Sequence, residues 1–136
     1  ELTETHLLAD FQRANEVLTE LRARGVSVAV DDFGTGYSSM GYLRQLEIDT
    51  LKIDKMFIAR AGSGGYDRTL VEVLVQLGLT LGLDIVAEGV ETAEQLAFVH
   101  ERRCTRAQGF HLAMPMPVDA IDGWLAVQCD RVRATA

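Results

Sequence analysis

Four short runs in this chain read as strands, and each contains or is directly followed by a polar side chain suited to chemistry. The runs are 26–30, 50–53, 83–87 and, more weakly, 106–110. Their richness in β-branched and apolar residues is what a strand buried on both faces requires. Helical patterns fill the intervals. Residues 7–24 place Leu7, Leu8, Phe11, Val17, Leu18 and Leu21 near helical spacing, and Gly25 stands where a C-terminal cap belongs. Further helices are expected over 38–46, over 66–82, from Thr92 to about Arg102, and over 118–127. Thr92 with Gln95 three residues on is a capping-box start, and Pro117 suits entry to the last helix. Strict alternation of this kind means a parallel sheet with helices outside it. Two architectures satisfy it: an open doubly wound sheet and a (β/α)8 barrel.

In either architecture the C-terminal strand ends share one rim, where sites assemble. Asp31 and Asp32 follow the first run, Lys52 interrupts the second, Glu88 follows the third and Gln108 lies in the fourth. All the candidate ligands offer oxygen, from three carboxylates and one amide. Such a set suits hard cations such as Mg2+ or Mn2+. Two adjacent carboxylates repel each other unless a cation neutralises them. Paired cations can clamp a phosphodiester, and a lysine beside them can stabilise developing negative charge. Singly, each residue has a plainer reading: Asp-Asp as a turn or cap, Lys52 as an ion-paired lysine, Glu88 as a helix-entry carboxylate, Gln108 as a hydrogen-bonded core amide. Their joint placement at successive strand ends favours chemistry.

Composition narrows the partners. A formal net charge of -7 gives no electrostatic footprint for polymeric nucleic acid. Cys104 and Cys129 form neither a metal motif nor a disulfide framework, and they suit a reducing, cytoplasmic setting. No apolar run reaches the length of a membrane span. The opening Glu1-Leu2-Thr3 without Met reads as a processed or excised piece, whose parent could carry a membrane anchor. His6, His100 and His111 are scattered and read as structural or surface residues.

The stretch Asp31-Asp32-Phe33-Gly34-Thr35-Gly36-Tyr37-Ser38-Ser39 resembles the signature loop of EAL-domain cyclic-di-GMP phosphodiesterases. Leu51-Lys52-Ile53-Asp54, Ala87-Glu88-Gly89-Val90-Glu91-Thr92, Ala107-Gln108-Gly109-Phe110 and Glu1-Leu2-Thr3-Glu4 resemble other segments of that family, in order along nearly the whole chain. The resemblance implies the C-terminal portion of one TIM-type barrel, spanning residues 1–136, and hydrolysis of cyclic-di-GMP to linear pGpG with Mg2+ or Mn2+. It implies Glu1, Asp31, Asp32, Glu88 and Gln108 around two metals, with Asp31 bridging. Lys52 would contact the nucleophilic water and Glu88 would act as general base or second-metal support. Glu91, with Thr35 and Ser38, would support the loop over 31–39.

The family's Glu-[Ala/Val]-Leu strand motif and its metal-binding Asn would both precede Glu1. A whole barrel takes about 200–250 residues, and 136 supply little more than half. An incomplete barrel would expose strand edges and apolar faces, so a homodimer or strand-swapped oligomer is expected. Sensory or GGDEF-type domains are expected in the parent. The alternative function is a receptor that holds cyclic-di-GMP without cleaving it.

Overall fold

In the computed structural model, which describes residues 1–34, 43–61 and 65–134, strands and helices alternate as the sequence predicts, except over 34–49, where the expected helix falls mostly outside the described residues. The elements are β1 (Leu2–Thr3), α1 (Glu4–Ala9), α2 (Phe11–Ala23), β2 (Ala29–Phe33), β3 (Thr50–Ile53), α3 (Lys55–Ala61), α4 (Tyr66–Thr80), β4 (Asp84–Ala87), α5 (Ala93–Glu101), β5 (Arg106–Ala107) and α6 (Val118–Ala134). All adjacent strands pair in parallel, and their spatial order follows their chain order, β1-β2-β3-β4-β5. A doubly wound sheet reverses its strand order at a switch point. A barrel does not. The sequential order therefore selects the barrel type of α/β fold, present here as an incomplete arc of five strands.

Side-chain alternation separates the two faces of this sheet. Val30, Leu51, Ile53, Ile85 and Ala87 point towards the helices and are fully buried. There they join Phe57, Ile58 and Ala61 of α3 and Val71, Leu74 and Val75 of α4 in one core. The period of two then assigns Ala29, Thr50, Lys52, Asp84, Val86 and Arg106 to the opposite face.

Strand β2 breaks that period. Val30 is opposite Leu51 and Phe33 is opposite Ile53, so three steps on β2 match two on β3. One extra residue is accommodated as a bulge, with Asp32 at φ 54° in the left-handed region. Without it, Val30 and Phe33 would face opposite sides. With it both enter the core, and both aspartates leave it. Aspartate is among the few non-glycine residues that adopt this conformation readily.

Several boundaries differ from the sequence expectation, each for a local reason. The helix expected over 7–24 is two helices, because Asp10 leaves helical geometry and its side chain accepts a bond from the Arg13 N–H at 3.1 Å. The strand expected over 26–30 starts at Ala29, since the Val26 N–H is engaged by Leu21 at the end of α2. It continues through both aspartates because of the bulge. The strand expected over 106–110 stops at Ala107, where Gly109 crosses the Val90 backbone so closely that no Cβ fits. Before it, the Thr105 hydroxyl bonds both the N–H and the C=O of Ile85, which extends the pairing through a side chain. Helix α3 and strand β1 were not anticipated. The first is set by Asp54, whose carboxylate accepts from the Met56 N–H at 2.7 Å. The second has only 2 residues, too few to show a period. The helix expected over 38–46 and the loop residues Thr35 and Ser38 fall wholly or mostly outside the described residues.

The bulge can be tested with two neutral substitutions. Asp32→Asn keeps a residue tolerant of positive φ, whereas Asp32→Val does not. The valine variant is expected to be less stable than the asparagine variant by roughly 1–2 kcal/mol, read from urea denaturation. Equal stabilities would show that Asp32 bears no backbone strain.

Candidate active site

The bulge and the strand period bring the chemistry together at one end of the sheet. Asp31 and Asp32 stand at the end of β2, Lys52 in β3 and Glu88 directly after β4. Asp31, Asp32 and Glu88 each offer a carboxylate oxygen, all within 4.8 Å of one another, close enough to share a cation. The Asp32 N–H donates to the Asp31 carboxylate at 3.0 Å, which orients the pair.

Lys52 lies among these acids. Its Nζ is 2.8 Å from Glu88 Oε1, 3.0 Å from Asp31 Oδ1 and 3.0 Å from Glu1 Oε2, and its side chain is only 10% exposed. Burial by itself would lower the ammonium pKa, but hydrogen bonds to Glu88, Glu1 and Asp31 outweigh it and hold the pKa above that of free lysine. Lys52 thus stays charged throughout the physiological range. The Asp32 carboxyl moves the other way from a salt-bridged acid. Loss of hydration, the neighbouring charge of Asp31 and a hydrogen bond with Asp54 raise its pKa. Lost hydration comes first and the neighbouring carboxylates second, and a cation nearby would offset both.

Glu1 reaches this centre through Lys52 rather than by joining the carboxylate trio, and it is 60% exposed. Gln108 is exposed at the end of β5, where it lines a groove with Glu1, Thr50, Lys52, Val86 and Arg106. Its backbone ties β5 to the Glu88 segment, since its N–H donates to Ala87 and its carbonyl accepts from Val90. Glu91 is exposed, with its N–H donating to Gln95 at 2.7 Å in the capping box of α5. Its expected loop partners, Thr35 and Ser38, lie outside the described residues. Gly89, at φ 66°, packs on Lys55 so tightly that a Cβ would collide with that side chain, and this fixes the turn that presents Glu88.

Two contributors escaped the sequence reading. Glu4 is 4% exposed, and its carboxylate accepts from the Gly34 N–H at 3.0 Å, pinning the chain just after the aspartates. A glutamate in the first turn of a helix ordinarily reads as a solvated charge, and nothing local in the sequence marks it as buried. Asp54 was visible as part of Leu51-Lys52-Ile53-Asp54. The strand period places it on the face of Lys52, which would have revealed its approach to Asp32. The letters of the Glu-[Ala/Val]-Leu motif do occur, as Glu16-Val17-Leu18 and Glu72-Val73-Leu74, but on α2 and α4 rather than in a strand. Glu72 is engaged by Arg102 at 2.9 Å and by Arg68 at 3.7 Å.

With this geometry established, comparison with known proteins is decisive. The model of the EAL domain family matches residues 1–115. The chain belongs to the EAL domain family. Cyclic di-GMP phosphodiesterase NbdA of Pseudomonas aeruginosa is 41% identical over 125 residues, covering 92% of this chain and 16% of NbdA. The solved PaMucR phosphodiesterase in complex with c-di-GMP superposes with a TM-score of 0.85 at 43% identity, covering 88% of this chain and 49% of that one. The EAL domain of Mycobacterium smegmatis DcpA gives a TM-score of 0.82 at 42% identity, over 91% of this chain and 56% of that one. The chain thus spans about a sixth of NbdA and about half of these two solved chains.

Two substitutions test the electrostatics and the pinning. Lys52→Met leaves three acids facing one another and is expected to cost about 1–3 kcal/mol, below the figure for fully buried pairs because the acids are part-exposed. Millimolar Mg2+ should recover much of this loss, and thermal denaturation with and without Mg2+ measures both effects. Glu4→Ala leaves the Gly34 N–H without its acceptor and is expected to cost about 1–3 kcal/mol. Glu4→Gln retains a carbonyl oxygen and should cost less in the same assay.

Proposed function

We propose that this chain is part of a metal-dependent phosphodiesterase that hydrolyses cyclic-di-GMP to linear pGpG. The observation that carries the reading is the convergence of Asp31, Asp32 and Glu88 around the Lys52 ammonium at one sheet end. Family membership supports the substrate, as do the names of NbdA and PaMucR.

Asp31, Asp32 and Glu88 are the residues that would hold a divalent cation, Mg2+ or Mn2+ on this reading, with Glu1 and Gln108 at the margin. The fit rests on an all-oxygen donor set and on the raised Asp32 carboxyl. When bound, such cations supply Lewis-acid polarisation of a phosphodiester and acidify water. The protein's own part is positional and electrostatic. Lys52 faces the negative charge that builds on phosphoryl oxygen and orients the attacking water. Glu88 accepts that water's proton as the water oxygen bonds to phosphorus; the bond from phosphorus to one ribose 3′ oxygen breaks, and that oxygen takes a proton from solvent. Glu91, Thr35 and Ser38 are assigned to support of the loop over 31–39. The reading takes residues 1–136 as the C-terminal portion of one EAL barrel in a cytoplasmic setting, alongside sensory or GGDEF-type domains. Among the described residues no helix is long and apolar enough to cross a membrane. On its own the chain is expected to self-associate, as a homodimer or strand-swapped oligomer.

The test is hydrolysis of cyclic-di-GMP with Mg2+ or Mn2+ by this chain and by a version extended at the N-terminus with EAL-type sequence. Turnover in the extended version is expected, with loss on the order of 10²–10³-fold in its Asp31→Ala variant. Turnover unchanged by Asp31→Ala would remove Asp31 from the mechanism. Binding without turnover in both versions would assign the chain as a receptor. Light scattering across a concentration series tests association, and a well-behaved monomer at high concentration would refute it.

A further inference from the structure

A second groove lies at the other end of the sheet, where the strands begin. In a barrel-type fold the reaction belongs to the end where they finish. Arg22 at the close of α2, the segment over 43–49, the last turn of α4 with Gly82 and Leu83, and Asp84 at the start of β4 line a groove of about 720 Å3. That size lies within the roughly 300–1,000 Å3 of ordinary small-molecule sites. Neither edge strand, β1 or β5, contributes a lining residue, so elements inside the chain, from α2 to β4, form the groove. Two kinds of polar group meet in it. Arg22 is held by Asp49 at 3.2 Å, and Asp49 is itself fixed by the Val28 N–H at 2.8 Å. Arg44 is exposed and has no ion-pair or hydrogen-bond partner among the described residues. Arg106 takes Asp84 Oδ2 at 2.7 Å, and Asp84 Oδ1 has no partner among the described residues. Leu46, Leu81 and Leu83 add apolar surface between these groups. The turns at this end, over 22–28, 43–49, 80–83 and 101–105, hold five arginines and three acids in a chain of net charge -7. The opposite end carries Asp31, Asp32, Asp54 and Glu88, so an anion is drawn to the arginine end.

We infer that this groove binds a small phosphorylated ligand whose other end offers N–H donors, a guanine nucleotide. The inference stands apart from the hydrolytic reading, which concerns the opposite end of the sheet. A guanidinium fork matches the oxygens of a phosphate. Arg44 is uncommitted, and Arg22 is set in position by Asp49 while keeping further donors to give. A phosphate alone would leave Asp84 unused and repelled. Guanine presents N1–H and the N2 amino group side by side on one edge, and a carboxylate accepts from both. Adenine presents a bare N1 there, whose lone pair faces the carboxylate. A site that hydrogen-bonds an N–H rejects the analogue lacking it far more strongly than one that reads shape alone. The three leucines are suited to the faces of the base and the sugar between the two polar ends.

The test is calorimetric titration with guanosine monophosphate (GMP), in EDTA so that no divalent cation draws phosphate to the acidic end. Saturable 1:1 binding is expected, with adenosine monophosphate and inorganic phosphate at least tenfold weaker. Arg44→Gln removes an exposed, unpaired guanidinium and should weaken GMP at least tenfold with an unchanged Tm. Asp84→Asn breaks only an exposed ion pair and should also weaken GMP at least tenfold. Amide chemical shifts should move at Asp49 and Gly82 rather than at Gly34 and Gly89. The same titration on the N-terminally extended version should give the same affinity. The inference is overturned by a lack of saturation at millimolar GMP, by adenosine monophosphate or phosphate binding as tightly as GMP, or by either variant binding like the parent. Shifts confined to the Gly34 and Gly89 end, or binding lost on extension, overturn it equally. Turnover is not read in any of these measurements, so their outcome leaves the hydrolytic reading to its own test.

Discussion

The single extra residue in β2 is the constraint on which the rest of the site depends. A regular strand would send one of the two adjacent aspartates into the apolar core. The bulge keeps Val30 and Phe33 on the buried side and releases both acids to the other. It thus reconciles two demands that a period-two strand cannot meet together, an unbroken core and a doubled negative charge at the rim. The cost is a left-handed backbone at Asp32, modest for aspartate. The compensation is local, through the bond from its own N–H to Asp31 and the anchoring of Gly34 by Glu4.

Lys52 completes the arrangement from the neighbouring strand. Three acids within 4.8 Å of one another, with Glu1 at their margin, repel in a partly buried site unless a cation lies among them. The ammonium serves that purpose by contacting Glu1, Asp31 and Glu88 at once. On the proposed reading, a divalent ion held by Asp31, Asp32 and Glu88 would relieve the same charge excess that Lys52 relieves here. This is why a residue assigned to the reaction also bears on stability.

The alternation of strand and helix, and the placement of Asp31, Lys52 and Glu88 at successive strand ends, were legible in the sequence, because both follow from periodicity and the geometry of parallel sheets. The choice between barrel and open sheet was not legible from periodicity, since strand order is a property of space rather than of chain. Nor was the bulge. Asp31-Asp32 looks like the end of a strand, and only pairing with Leu51 and Ile53 reveals that β2 continues through it. Glu4 stayed hidden for a related reason. Its partner is the backbone of Gly34, thirty positions away, and a backbone N–H leaves no compositional trace. The letters Glu16-Val17-Leu18 and Glu72-Val73-Leu74 show the converse hazard, since a three-residue pattern carries no information without its element.

Gly89 has a consequence for how this chain can vary over time. Its positive φ and the contact of its missing Cβ with Lys55 close two independent routes to replacement. Any larger residue must bend the turn behind Glu88 and push on the first turn of α3, which begins beside Asp54. Drift at that position would disturb two acids at once, so in a library of random variants selected for foldability alone, codon 89 should be among the slowest to diversify.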